Sequence, residues 1–163
     1  MNPWIKEPFG FQDLQRIMFK LLDRVPVFHG MTGEELLQLL EAAEKCTFAA
    51  RDTIVREGST GAWLYVIIEG EATVAKSARG HTTELARLQA GDSFGEMSLV
   101  DQELRSASVI AETPCVLLRL SENACWKQAA SSAKIYRNIA RVLSHRLRDM
   151  DDAYVICANH DTT

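Results

Sequence analysis

The sequence predicts an α+β chain that is mainly β, with one small antiparallel β-domain set between helical ends. Three observations predict it. Between Cys46 and Leu120, short β-rich runs recur at regular spacing with glycine-bearing breaks between most of them. Such a pattern belongs to a sandwich, a jelly roll or a small barrel. On either side, apolar residues step by three and four, the period of a helix. The chain has 163 residues, 47% hydrophobic and 25% charged, which is enough for a sizeable core and favours one domain over two. The expected organisation is a helical segment over 1–45, a β-domain over 46–120, and C-terminal helices with a tail over 121–163.

The elements follow in chain order. Phe11, Leu14, Met18 and Leu21 form one apolar stripe, so the chain opens on a helix. Pro26 interrupts it. Thr32 with Glu35 is a capping-box signature ahead of Leu36, Leu37, Leu39, Leu40 and Ala43, which predicts a second helix. Strands are expected over 53–56, 63–68, 72–75, 83–88, 106–111 and 116–120. Gly58, Gly61, Gly70, Gly80 and Gly91 mark the breaks. Ser121 and Glu122 then open a short helix, and a long one runs from Ser132 to about Tyr154. Along it Ala133, Tyr136, Ala140, Leu143, Leu147, Met150, Tyr154 and Cys157 are spaced as heptads, with Arg137, Arg141, His145, Arg146 and Arg148 beside them. Such a seam can pack on the chain's own β-domain or pair two copies of the chain. We carry the homodimer forward as the expectation.

Composition removes several classes of function. The formal net charge is −4, from 18 Lys and Arg against 22 Asp and Glu, whereas nucleic-acid binding calls for a basic surplus on one face. No stretch approaches the ~20 apolar residues of a membrane span. The N-terminus lacks the basic start and apolar run of a secretory signal. Cys46, Cys115, Cys125 and Cys157 form no CxxC pair and read as free thiols in a reducing cytoplasm. His29, His81, His145 and His160 are dispersed, so no metal-ligand cluster is expected, and no GxSxG nucleophile motif occurs. We therefore expect a binding protein and not an enzyme, without metal or cofactor.

The chemistry sits in residues 94–109, Phe-Gly-Glu-Met-Ser-Leu-Val-Asp-Gln-Glu-Leu-Arg-Ser-Ala-Ser-Val. Gly95 lets a backbone approach a ligand closely. A helical turn from Glu96 to Val100 would aim free N–H groups at an anion. Arg105, expected on the following strand, carries a planar fork suited to phosphate, and Ser106 adds a hydroxyl. Glu96 is an acceptor suited to hydroxyl groups. Together they describe a cradle for a phosphorylated sugar. The alternatives are plain: Arg105 paired with Asp101 or Glu103, and Glu96 as a solvated carboxylate at a helix start.

This segment resembles the phosphate-binding cassette of the cyclic nucleotide-binding domain family, of the catabolite activator protein and kinase A regulatory-subunit type. The matching residues are Phe94-Gly95-Glu96, Ser98-Leu99 and Arg105-Ser106-Ala107-Ser108. Residues 22–28 and 34–40 resemble the family's leading helix. Ile54 to Gly58, Gly61, Trp63 to Gly70 and Glu71 resemble its glycine-bearing hairpins, and residues 121–148 its closing helices. The resemblance covers roughly Leu21 to Asp152 and implies an eight-stranded antiparallel β-roll. It also implies roles. Arg105 pairs with the cyclic phosphate, Glu96 accepts from the ribose 2′-hydroxyl, the amides of Gly95, Met97 and Ser98 hold phosphate oxygens, and Ser106 touches phosphate or base. Met150 and Asp151 fall near the base, Met150 as a lid and Asp151 as an acceptor or as part of a solvated helix end. Leu104 stands where the family commonly has Pro, and Ser59 and Ala62 where acidic residues are common, which bears on loop rigidity.

The ligand implied is cAMP before cGMP, on family frequency alone. The chain stops at Thr163, soon after the long helix, so we expect a sensor without a DNA-binding module that signals by moving that helix against a second copy or an unknown downstream protein. The competing expectation is a scaffold or protein-interaction module with a degenerate fold and no ligand.

Overall fold

The computed structural model describes residues 23–101 and 103–160, together with Ile17, Met18 and Leu21. Phe11 and Leu14, on which the expected first helix partly rests, lie outside the described residues, as does Leu22 at the start of the resemblance to the leading helix. Met18 is half-buried and Leu21 buried, both against the helical core. A 3₁₀ turn at Pro26–Phe28 leads to helix α1 (Gly33–Glu41). The predicted capping box is formed: the Thr32 hydroxyl accepts from the Glu35 N–H at 3.2 Å, and the Glu35 carboxylate accepts from the Thr32 N–H at 2.7 Å.

Eight antiparallel strands follow: β1 (Glu44–Phe48), β2 (Thr53–Val55), β3 (Trp63–Glu69), β4 (Glu71–Ala78), β5 (His81–Gln89), β6 (Ser93–Phe94), β7 (Ser108–Ala111) and β8 (Cys115–Ser121). They make two four-stranded sheets, ordered β1-β8-β3-β6 and β2-β7-β4-β5. Between β6 and β7 lies a one-turn helix, α2 (Met97–Val100). After β8 come α3 (Glu122–Trp126), capped by the Ser121 hydroxyl, and the long α4 (Ala129–His160). The architecture is the expected mainly β roll with helices at both ends.

Burial explains where the sequence pattern was clear. The first sheet is covered on both faces, so β3 reads as a continuous apolar run. Tyr65, Ile67 and Leu117 point into the space between the sheets, against Phe48, Val55, Ala72 and Val109. Leu64, Val66, Leu118 and Leu120 point outward, where α1 and α4 cover them with Leu36, Leu40, Ile135 and Ile139. By contrast β5 is exposed along all its residues except Leu88. It is held in a hairpin with β4 by Arg79 and Gly80, both at positive φ (52° and 83°), the geometry that matches strand twist in a two-residue turn.

The structure adds two strands. β1 begins on Glu44 and Lys45, and β6 is two residues long, so neither carries an apolar run; pairing with β8 and β3 respectively makes them strands. Residues 105–107 precede β7 instead of forming part of it. The long helix also starts earlier and ends later than its periodicity suggests, reaching about 48 Å at 1.5 Å per residue.

Two faces of α4 have separate uses. Ile135, Asn138 and Ile139 are buried on the chain's own core. Asn138 Nδ2 donates to the carbonyls of Val27 at 3.0 Å and His29 at 2.8 Å, tying the helix to the turn that precedes α1. On the heptad face, Leu147, Met150 and Tyr154 are 60–76% exposed. Cys46, Cys115 and Cys125 are buried and Cys157 is exposed, all as free thiols. Among the described residues, no helix is long and apolar enough to cross a membrane and no three His, Cys, Asp or Glu side chains cluster as metal ligands.

Asn138→Ala removes both bonds and leaves the buried Val27 carbonyl without this donor. It should lower unfolding free energy by about 2 kcal/mol in urea titration; a loss under about 0.5 kcal/mol would show that the tie to Val27 and His29 carries little.

Candidate functional site

The cassette is held by close approach of backbones. Gly95 has φ +82°, and a Cβ there would lie 2.5 Å from the Trp63 carbonyl oxygen and 2.8 Å from Arg105 Nη1. Only glycine meets both conditions. The chain then turns into α2, whose first internal bond runs from the Leu99 N–H to the Glu96 carbonyl at 3.1 Å. The amides of Met97 and Ser98 sit in the open first turn.

Arg105 is 8% exposed. Its backbone is fixed by the loop after β2: the Arg105 N–H donates to the Ser59 carbonyl at 2.9 Å, and the Gly58 N–H donates to the Arg105 carbonyl at 2.8 Å. Its guanidinium is held by neutral oxygens. Nη1 donates to Ser98 Oγ at 2.5 Å and the Gly95 carbonyl at 3.2 Å, and Nη2 to the Trp63 carbonyl at 3.2 Å. Ser98 Oγ in turn donates to the Gly95 carbonyl at 2.9 Å. Below lies the Tyr65 ring, 5.7 Å from the guanidinium carbon and stacked on Phe94 at 4.9 Å. Two of the five guanidinium N–H donors have no partner among the described residues. No carboxylate pairs with Arg105 among these residues, so the pairing with Asp101 or Glu103 considered above is not formed.

Glu96 is 1% exposed, buried where a solvated helix-start carboxylate would be open to water. Its Oε1 accepts from Arg146 Nη1, while Arg146 Nη2 donates to the Ser93 carbonyl at 2.8 Å. Oε2 is buried and has no hydrogen-bond partner among the described residues. Burial raises the Glu96 pKa above the ordinary carboxylate value, and the Arg146 charge only partly draws it back. Burial also lowers the pKa of Arg105.

These groups share one cavity of about 610 Å³. Gly95, Glu96, Met97, Ser98, Arg105 and Ser106 line its cassette side; Val74, Leu85, Ala86 and Leu88 line the strand side; Arg146, Asp149, Met150 and Ala153 come from α4. A single cavity thus offers a cation, a buried acceptor and an apolar wall, the make-up of a small-molecule site.

The sequence pattern of the Cyclic nucleotide-binding domain family matches residues 45–132. The chain belongs to that family. It is similar to the Cyclic AMP receptor protein of Thermus thermophilus, 32% identical over 127 residues, covering 77% of this chain and 59% of the relative. It is also similar to the cAMP-dependent protein kinase regulatory subunit of Schizosaccharomyces pombe, 27% identical over 128 residues, 78% of this chain and 30% of that protein. The crystal structure of a cyclic nucleotide-binding domain from Methylobacillus flagellatus superposes with a TM-score of 0.78 at 25% identity, covering 86% of this chain and 83% of that one. The chain therefore spans 30–59% of the length of these two curated relatives.

Within this family fold, the expected cassette residues stand on one wall. Met150 also reaches the cavity, at 68% exposure. Asp151 does not line it. Helical rotation is about 100° per residue, so Arg146, Asp149, Met150 and Ala153 share a face that Asp151 leaves, and Asp149 is the carboxylate at the wall. Sequence reasoning missed Arg146 as a partner of Glu96. Its position on the predicted helix was visible, but a run of basic residues beside a heptad seam does not single one out. The Trp63 carbonyl was beyond reach altogether, because a backbone atom leaves no residue signature. Leu104 and Ala62 leave the loop intact: the backbone bonds at Gly58 and Ser59 hold Arg105 without a proline before it.

A pH prediction follows from Glu96. Its folded pKa exceeds the ordinary 4.5, so the folded chain holds this proton more tightly than the unfolded one. That stabilising contribution is present below 4.5 and lost as pH rises through the raised value. In urea melts from pH 4 to 8, the stability of Glu96→Gln relative to the parent should rise across that window, and Arg146→Met should deepen the parent's own decline. A difference between parent and Glu96→Gln that is flat with pH would contradict the assignment.

Proposed function

We propose that this chain is a cyclic nucleotide sensor that takes cAMP in preference to cGMP and does no catalysis. The observation that carries this reading is Arg105, a buried cation with no anionic partner among the described residues and with donors to spare, lining the same cavity as Glu96, whose buried Oε2 has no partner among those residues. A cyclic phosphate would complete the first and a ribose 2′-hydroxyl the second. The amides of Gly95, Met97 and Ser98, with Ser106 at the rim, would share the phosphate oxygens. The purine would lie against Val74, Leu85 and Leu88 under Met150. The preference for cAMP is supported by the two curated relatives above, both named for cAMP.

Signalling would run through α4. Arg146 joins that helix to Glu96 and to the Ser93 carbonyl, so a ligand that engages Glu96 changes what the helix is tied to. A ligand can shift such a helix only by its differential affinity for two positions of it. The exposed Leu147, Met150 and Tyr154 would present the output to a second copy in a homodimer or to a downstream protein, without DNA or membrane, in the cytoplasm.

Calorimetry with both nucleotides tests the reading. We expect heat and a raised melting temperature with cAMP, and weaker binding of cGMP; no response to either at millimolar concentration refutes it. Arg105→Ala should cost about 2–5 kcal/mol of binding, tens to thousands of fold. An unchanged affinity would remove the cradle from its assigned role. For the output, sedimentation of Leu147→Glu/Tyr154→Glu should give a monomer where the parent is a dimer, and a parent that is already monomeric rejects the homodimer.

A further inference from the structure

One row of the first sheet has a charge pattern that the cradle leaves unused. Strand register sets Glu44 of β1 opposite Arg119 of β8, Arg119 opposite Tyr65 of β3, and Tyr65 opposite Phe94 of β6. Directly opposed residues in antiparallel strands share a face, and Tyr65 and Phe94 are in the core between the sheets. A single rung therefore crosses all four strands and ends on the residue before Gly95.

The contacts along it are tight. Glu44 Oε2 accepts from Arg119 Nε at 2.8 Å and Nη2 at 2.5 Å, with the two side chains only 17% and 15% exposed. The Arg119 guanidinium carbon lies 4.1 Å from the centroid of the Trp63 ring, two residues before Tyr65 on the same face of β3. Tyr65 stacks on Phe94 with planes 6° apart. Arg105 meets β3 at two points, through the Trp63 carbonyl and over the Tyr65 ring.

A mostly buried ion pair contributes little net stability, because desolvation offsets the attraction, but its geometry is restrictive. We propose that Glu44 and Arg119 are positioning residues: they fix the Trp63 and Tyr65 rings, and through them the guanidinium of Arg105 and the approach to Gly95. The inference rests on the cyclic nucleotide reading and goes beyond it by assigning binding geometry to an ion pair that does not line the cavity.

A mutant cycle separates positioning from general stability. Calorimetry with cAMP should show Arg119→Met weakening binding about tenfold in the parent but less than about threefold in an Arg105→Lys background, with thermal unfolding establishing that each variant is folded. Glu44→Gln, which preserves shape, should follow the same pattern with a smaller loss and replaces Arg119→Met if that variant does not fold. Equal fold-losses in both backgrounds, or no loss, overturn the proposal. The Arg105 Nε–Hε NMR resonance gives a ligand-independent measure, expected to move on Glu44→Gln. If the parent binds neither cAMP nor cGMP, the sensor reading fails, and an unmoved resonance overturns the positioning role separately.

Discussion

A guanidinium taken out of water needs compensation for the hydration it loses, and Arg105 receives it from two carbonyls and a hydroxyl. Neutral oxygens hold the side chain in place without neutralising it. Much of the surrounding geometry follows. Gly95 must be glycine so that its carbonyl and that of Trp63 can converge on one side chain. Ser98 must present its hydroxyl inward, which sets the start of α2. The loop after β2 must come close enough for Gly58 and Ser59 to bracket the Arg105 backbone. The result is a preorganised positive site with its orientation fixed by groups that do not compete for an anion.

The sheet that supplies this site is buried on both faces, and that links site to helix. Tyr65 faces the cradle side, whereas Leu64 and Val66, its immediate neighbours, pack under α1 and α4. Arg146 adds a second link farther along α4, from outside the core, to the Glu96 carboxylate. The helix is thus anchored by apolar packing near Ile135 and Ile139 and by a polar contact about two turns later. Beyond the polar contact its apolar residues are exposed.

Legibility in the sequence tracked how local each feature is. The Thr32–Glu35 box, the β3 run and the cassette residues were readable because three or four adjacent positions carry the whole physical reason. β1 and β6 were not, since their strand character comes from β8 and β3. The cassette's resemblance located the cavity wall, but placing Arg105 on a strand missed that a loop brackets it. Asp151 was placed by register along a long helix, where an offset of two residues turns a side chain by about 200°. Arg146 and the Trp63 carbonyl required a tertiary contact over 50 and 42 positions of sequence.

The contact between Arg146 and Glu96 has a consequence for dose response. Any ligand that needs both oxygens of that carboxylate must compete with a resident cation, so its apparent dissociation constant equals the intrinsic one divided by the fraction of molecules in which the contact is open. For such a ligand, the concentration at which half the molecules are occupied would be adjustable from the helix alone. A change at position 146 or in the packing of its turn would reset that threshold while the contacts of Gly95, Ser98 and Arg105 stayed the same. For such a ligand, sensitivity would be set by the helix and recognition by the cassette, different elements of one chain.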